Sequence, residues 1–370
     1  MIDLKSTLRI LPVHVIYSRL DPRIAVTVGE ELESLIATLG GVIPDRVIQK
    51  LDRPSNATYI GKGKVVEVSE KINELEIDVV VLNAMVKPRQ VHALKEELRK
   101  VSPQIEVWDR VDLILNIFDK HAVTQESKLQ IELARMNYMG PRIYGMGYVL
   151  SRQGGGIGTL GIGETNTELM KRHWRDEKKR ITDQLEKISK SREQQLDRRK
   201  RAGYKTVSIV GYTNAGKSSL FNTLTGKKTL VEDELFATLD SSVGKIYIPE
   251  IHSEVLVTDT IGFIRDLPPL LISAFKSTLM ESVHADLLLH VIDVSDPEMD
   301  TKIRVVNEIL IDLGRELSDV AYVFNKIDAA LDLDKNKVLE KYGNNSSIFI
   351  SVKTQNGLEQ IKEVIKQKFS

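Results

Sequence analysis

Four short clusters in the second half of the chain have the residue types and spacing to handle a phosphorylated nucleotide. The first, Gly211-Tyr212-Thr213-Asn214-Ala215-Gly216-Lys217-Ser218, follows the apolar run Val207-Ser208-Ile209-Val210 and precedes Ser219-Leu220-Phe221-Asn222-Thr223-Leu224, which has helical spacing. A strand, a glycine-bounded loop ending in Lys-Ser and then a helix form the frame of a phosphate-binding loop. Gly211 and Gly216 let backbone N–H groups turn inward, and the start of the helix adds partial positive charge. Asn214, Ala215, Lys217, Ser218 and Ser219 are expected to line the phosphates, with Lys217 reaching the terminal ones and Ser218 offering its hydroxyl to Mg²⁺.

The second cluster, Asp259-Thr260-Ile261-Gly262, ends the buried run Val255-Leu256-Val257-Thr258. A carboxylate at such a strand end can hold Mg²⁺ through water, and the glycine N–H can sense a γ-phosphate. Thr238, in the polar connection Leu235-Phe236-Ala237-Thr238-Leu239-Asp240, is expected to join Ser218 and Asp259 as a metal ligand. Lys217, Thr238 and Gly262 are the expected catalytic residues. The third cluster, Asn325-Lys326-Ile327-Asp328, decides the base, because a carboxylate accepts hydrogen bonds from the N1–H and amine of guanine, which adenine lacks. A site built on such bonds rejects the wrong partner by ~10⁴–10⁵. Ser351-Val352-Lys353 is the fourth, after the strand-like Ile348-Phe349-Ile350. GTP is the expected substrate and GDP the product. Asn214 is the fourth residue of the loop, a position where similar GTPases place an asparagine that helps hold K⁺, and the same role is an expectation here.

These clusters need a scaffold, and the chain has room for one. Its 370 residues suggest two or more domains, and 42% hydrophobic content lets each bury a core. Cysteine is absent, which excludes disulfides, thiolate metal sites and cysteine nucleophiles. The N-terminus lacks an apolar leader and no apolar run approaches a membrane span, so a soluble, cytoplasmic protein is expected, monomeric. The zero net charge hides a segregation: residues 165–202 carry 13 Lys and Arg against 7 Asp and Glu, whereas residues 203–370 carry 18 against 24. A basic middle points to a polyanion such as RNA.

Val13–Tyr17, Ile77–Leu82 and Ile105–Trp108 read as strands, alternating with helical patterns over Val28–Leu39 and Gln90–Val101. Alternation of this kind predicts a small parallel sheet over residues 1–121. Gly61-Lys62-Gly63-Lys64 opens another helix but is too common a turn to indicate a phosphate site by itself. A helical pattern from Ala122 should stop before Gly140-Pro141. A second runs from about Glu164 to Ala202, with Trp174, Ile181, Leu185 and Ile188 on one narrow stripe. So narrow a stripe cannot support a lone helix, which predicts an antiparallel hairpin over residues 122–202. The glycine-dense Gly154–Gly163 would form its tip and order on a partner. Residues 203–370 then form a doubly wound nucleotide domain, giving an α/β chain of three parts.

Together the motifs resemble the HflX family of translational GTPases over residues 10–370. The family-specific parts are Tyr59-Ile60-Gly61-Lys62-Gly63, Gln125 with Leu129-Gln130-Ile131-Glu132-Leu133-Ala134, Gly154–Thr165, Phe236–Asp240 and Asp259–Ile264. The resemblance implies an N-terminal α/β subdomain, a helical hairpin bearing the glycine loop and a P-loop GTPase domain ending with the last helix of the chain. It also implies binding to the large ribosomal subunit, through ribosomal RNA; several members split stalled ribosomes. Leu160 and Ile162 stand where the family usually has Arg and Pro, and Ser241-Ser242-Val243-Gly244 replaces a Pro-Thr-Thr-Arg-like run. An ATP-driven RNA remodeller regulated by GTP, or a signalling GTPase with protein partners, are the alternatives at this stage.

Overall fold

The computed structural model describes residues 7–19, 21–153, 160–227, 242–260, 262–265, 271, 284–330, 332–343 and 347–370. The chain divides into two compact units, Met1–Lys120 with Ile131–Thr182 and His121–Gln130 with Asp183–Ser370.

In the first unit, β1 (Ile10–Tyr17), β2 (Val47–Leu51), β3 (Val79–Leu82) and β4 (Glu106–Asp109) form a parallel sheet in the order β2-β1-β3-β4. Three helices alternate with them: α1 (Pro22–Leu39), α2 (Lys62–Glu74) and α3 (Pro88–Arg99). Sheet and helices close over an apolar core that includes Leu11, Val13, Val80, Leu82, Leu94 and Leu98. Two elements escape the sequence pattern. The strand β2 breaks its apolar run with Gln49 and Lys50 at a sheet edge, and α4 (Arg110–His121) follows β4 with no loop. The carboxylate of Asp109 causes that abrupt turn, accepting hydrogen bonds from the N–H groups of Val111 (2.9 Å) and Asp112 (3.0 Å) as a helix cap does.

Two long helices follow, α5 (Gln125–Gln153) and α6 (Leu160–Arg201), and each contributes to both units. They run antiparallel. Arg192 pairs with Glu126 at 3.1 Å, and nearer the other end Glu132 acts on Arg180. Ile181 is fully buried in the predicted stripe, while Trp174, Leu185 and Ile188 are half-buried. Two expected boundaries are corrected. Helix α5 does not stop before Gly140-Pro141 but continues through it to Gln153, and α6 begins at Leu160, taking in part of the glycine segment. A proline inside a helix costs ~3 kcal/mol, which a long packed hairpin can absorb and a local rule cannot weigh. Residues 154–159 of the expected tip lie outside the described residues.

The second unit is built on a six-stranded sheet in the order β10-β9-β8-β5-β7-β6. Its members are β5 (Lys205–Gly211), β6 (Ser242–Ile248), β7 (Ser253–Asp259), β8 (Leu287–Asp293), β9 (Val320–Asn325) and β10 (Ser347–Phe349). All pairings are parallel except that of β6 with β7. The helices are α7 (Lys217–Thr225), α8 (Met299–Asp312), α9 (Lys335–Tyr342) and α10 (Leu358–Phe369). Val207, Ile209, Val255, Val257, Leu289 and Val323 lie in one buried cluster on one sheet face. Parallel strands of this kind carry their functional residues at their carboxyl ends, where β5, β7, β9 and β10 deliver the four sequence clusters.

Candidate functional site: a phosphate loop and a base-recognition loop

Sterics fix the loop between β5 and α7. Gly211 has φ of +150°, and a Cβ there would stand 2.3 Å from the carbonyl oxygen of Val291 on the adjacent strand. Gly216 has φ of +94°, and a Cβ would meet Asn325 Nδ2 at 2.4 Å. No other residue fits either place. Asn214 is exposed and left-handed at φ +61°, a conformation asparagine tolerates better than most residues. Ala215 is buried behind it. Helix α7 starts at Lys217 behind Gly216, which has no side chain to cap it, and a helix start of this kind favours an anion.

Lys217 is buried, and its Nζ donates to the carbonyl of Tyr212 at 2.7 Å. Burial pushes its pKa down to about 8, against the pull of Asp259, which favours the charged form. A phosphate arriving beside it would restore the full charge. Asp259 is fully buried at the end of β7, and Ser218 and Ser219 follow Lys217 in the first turn of α7, half-buried. His290, inside β8, is buried within range of Lys217, and desolvation and that charge push its pKa down to about 3. It therefore stays neutral at working pH and adds no positive charge under the loop.

Beyond Asp259 the chain remains zipped to β5. Ile209 is the strand partner of Asp259, and Tyr212 is the partner of Phe263, so three steps on one strand match four on the other. Thr260 Oγ1 donates to the Ile209 carbonyl at 2.8 Å, Phe263 N–H to the Gly211 carbonyl at 3.1 Å, and Thr213 N–H to the Phe263 carbonyl at 2.8 Å. Gly262 lies against the lysine: a Cβ there would stand 2.9 Å from Lys217 Nζ. Thr238 lies outside the described residues.

The base-recognition loop is braced to the phosphate loop by Asn325. Its Nδ2 donates to the Ala215 carbonyl at 2.9 Å, and its Oδ1 accepts from the N–H of Val352 at 3.1 Å. Asparagine thus joins three loops through one amide. Lys326 is left-handed at φ +66° and pairs with Asp293 at 2.7 Å. The buried hydroxyl of Ser351 donates to Asp328 Oδ1 at 2.6 Å, and this bond is the main cause holding the Asp328 carboxyl below its ordinary pKa. Lys353 is exposed beside it and lowers it further. Motif reading missed Tyr212, which occupies a variable position of its motif, and His290, although a polar residue in Leu287-Leu288-Leu289-His290-Val291-Ile292 is a visible signal.

Comparison with known proteins agrees with this architecture. Residues 27–119 match a family described as GTP-binding GTPase N-terminal, residues 121–199 one described as GTP-binding GTPase Middle Region, and residues 206–326 one described as 50S ribosome-binding GTPase. GTPase HflX of Caldanaerobacter subterraneus is 45% identical over 91% of this chain and 76% of its own length. GTPase HflX of Escherichia coli is 36% identical over 92% and 79%, respectively. Among solved structures, a GTP-binding protein from the hyperthermophilic archaeon Sulfolobus solfataricus in complex with GDP covers 98% of this chain and 99% of its own, at 26% identity and a TM-score of 0.52. With the glycine-constrained loop, the Asp259 strand end and the Asn325 brace in one GTPase domain, the chain belongs to the HflX family of GTPases.

Proposed function

We propose that the chain is a GTP-dependent switch acting on the large ribosomal subunit, with the GTP site assembled from the residues above. In this reading Gly211, Asn214, Ala215, Gly216, Lys217, Ser218 and Ser219 cradle the phosphates. Asn325, Lys326, Asp328, Ser351, Val352 and Lys353 enclose the guanine. The brace through Asn325 is the observation that carries the assignment, because it sets the spacing between phosphate loop and base loop.

Mg²⁺ suits the donor set, since a serine hydroxyl and a carboxylate at a strand end are the hard oxygen donors it prefers. Ser218 and Asp259 would hold it, joined by Thr238. When bound it would neutralise charge developing on the β- and γ-phosphates. The chain's own work is positioning: Lys217 supplies a fixed charge to the phosphates, Gly262 presents its N–H toward the γ-phosphate, and the backbone bonds of the adjacent Phe263 to Gly211 and Thr213 keep that N–H in place. Asn214 would lend an oxygen to K⁺, which adds charge near the bond that breaks. Turnover in K⁺ is then expected to exceed that in Na⁺ at matched ionic strength; equal rates would leave Asn214 only its left-handed loop role.

The ribosomal part of the reading is supported by α6, where Lys171, Arg172, Arg175, Lys178, Lys179 and Lys187 are exposed. A basic helix of this kind suits ribosomal RNA phosphates. Among the described residues no helix is long and apolar enough to cross a membrane. A monomer in the cytoplasm accords with that partner. Sedimentation with purified large subunits tests the assignment. The protein should travel with them in a non-hydrolysable GTP analogue and less so in GDP, and failure to co-sediment in either state would overturn it.

A further inference from the structure

Tyr212 stands inside the phosphate loop yet does two things the motif does not require. Its carbonyl accepts the Lys217 ammonium at 2.7 Å, while its phenol oxygen accepts the backbone N–H of Arg265 at 2.6 Å. Arg265 lies three residues past Gly262, and its guanidinium pairs with Glu298, just before α8, at 2.8 Å with both side chains largely buried. On the other side of the phenol, Lys302 Nζ sits 4.7 Å from the ring centroid and is itself paired with Asp296. The ring is therefore held between the phosphate loop and the start of α8.

From these contacts we infer that Tyr212 is a positioning residue for GTP hydrolysis: its backbone holds Lys217 and its hydroxyl holds the Gly262–Arg265 segment, so one residue couples the two. Phe263 and Arg265 flank Ile264 as successive anchors of that segment. The Phe263 anchor is made of backbone bonds to Gly211 and Thr213, which any residue but proline could make. The Arg265 anchor ends on a side chain, so only a tyrosine at 212 supplies it at this reach. With both anchors in place the segment cannot pivot about Phe263, and the N–H of Gly262 is preorganised where charge develops. Losing the hydroxyl should leave the contacts to the phosphates that GDP also carries intact and weaken the hold on the γ-phosphate, in the bound triphosphate and more so in the transition state.

The inference rests on Gly262 being the γ-phosphate sensor, so Tyr212→Phe is compared with Gly262→Ala. The phenylalanine keeps the ring, its place under Lys302 and the carbonyl that holds Lys217. For Tyr212→Phe, kcat should fall about three- to tenfold, the span of one neutral hydrogen bond, while GDP affinity stays within about twofold. The preference for a non-hydrolysable GTP analogue over GDP should fall with kcat. A parental kcat and preference would overturn the inference, and so would equal losses for GDP and the analogue, which would make the phenol a part of the loop's construction only. Gly262→Ala should cost analogue affinity more than GDP affinity, because the methyl would crowd Lys217 Nζ and Thr213. If it costs neither, the sensor reading itself fails, whatever Tyr212→Phe does.

Discussion

Asp328→Asn is expected to weaken GTP binding by roughly 10²- to 10⁴-fold, the range that two charge-assisted hydrogen bonds command. The carboxylate would receive the N1–H and the amine of guanine, and an amide offers a donor where the base also has a donor. Xanthine has a carbonyl in place of that amine, so the variant should shift its preference toward xanthine nucleotides. The Ser351 hydroxyl, 2.6 Å from Asp328 Oδ1, makes this a clean test. An asparagine carbonyl can still accept that hydrogen bond, so the loop should keep its shape and the thermal midpoint should barely move. Lys326, paired with Asp293, holds the neighbouring backbone from outside the substitution. A binding titration with GTP and xanthosine triphosphate reads the result. Unchanged GTP affinity would remove Asp328 from the base site.

Some of this was legible in the sequence for a mechanical reason. Gly211 and Gly216 face a carbonyl and an amide at distances that forbid any Cβ, so the glycines of the motif and the geometry of the loop are one fact stated twice. The buried strands were legible because parallel strands covered on both faces read as unbroken apolar runs. What stayed hidden depends on partners distant in sequence. The edge strands β2, Val47-Ile48-Gln49-Lys50-Leu51, and β6, Ser242-Val243-Gly244-Lys245-Ile246-Tyr247-Ile248, have neither an unbroken apolar run nor a strict alternation, so the local pattern does not mark them as strands. Helix α4 starts without a turn because one carboxylate, Asp109, captures two N–H groups at once. Pro141 is a strong local stop signal that the packed hairpin overrides. The Tyr212 contact needs Arg265, 53 residues away, and no spacing rule joins them. Residues 154–159 and Thr238 fall outside the described residues, so their roles rest on the sequence and the family resemblance.

The largest effect is expected from the ribosomal partner, and its argument begins at Phe263. GTPases that orient the attacking water with a glutamine place it directly after the glycine of the Asp-x-x-Gly motif. Here that position holds a phenylalanine, 2% exposed, whose backbone is bridged to the phosphate loop through Gly211 and Thr213. Such a side chain neither accepts nor donates a hydrogen bond to water. The free protein should therefore turn over slowly, at or below the order of 10⁻³ to 10⁻² s⁻¹ for unassisted members of this mechanistic class. Help in trans can supply ~10³–10⁵ in such systems by positioning water, adding charge or ordering a switch. The exposed lysines and arginines of α6 suit a polyanion, and in the proposed function binding there is the step through which large subunits would stimulate turnover. Purified large subunits should accelerate GTP hydrolysis steeply at low salt and less as salt rises, because phosphate contacts release counterions on binding. A single-turnover assay of the free protein, repeated with large subunits at two salt concentrations, measures both claims. Fast turnover without subunits would defeat the Phe263 argument, and slow turnover that subunits leave unchanged would defeat the assigned partner while leaving the GTP site intact.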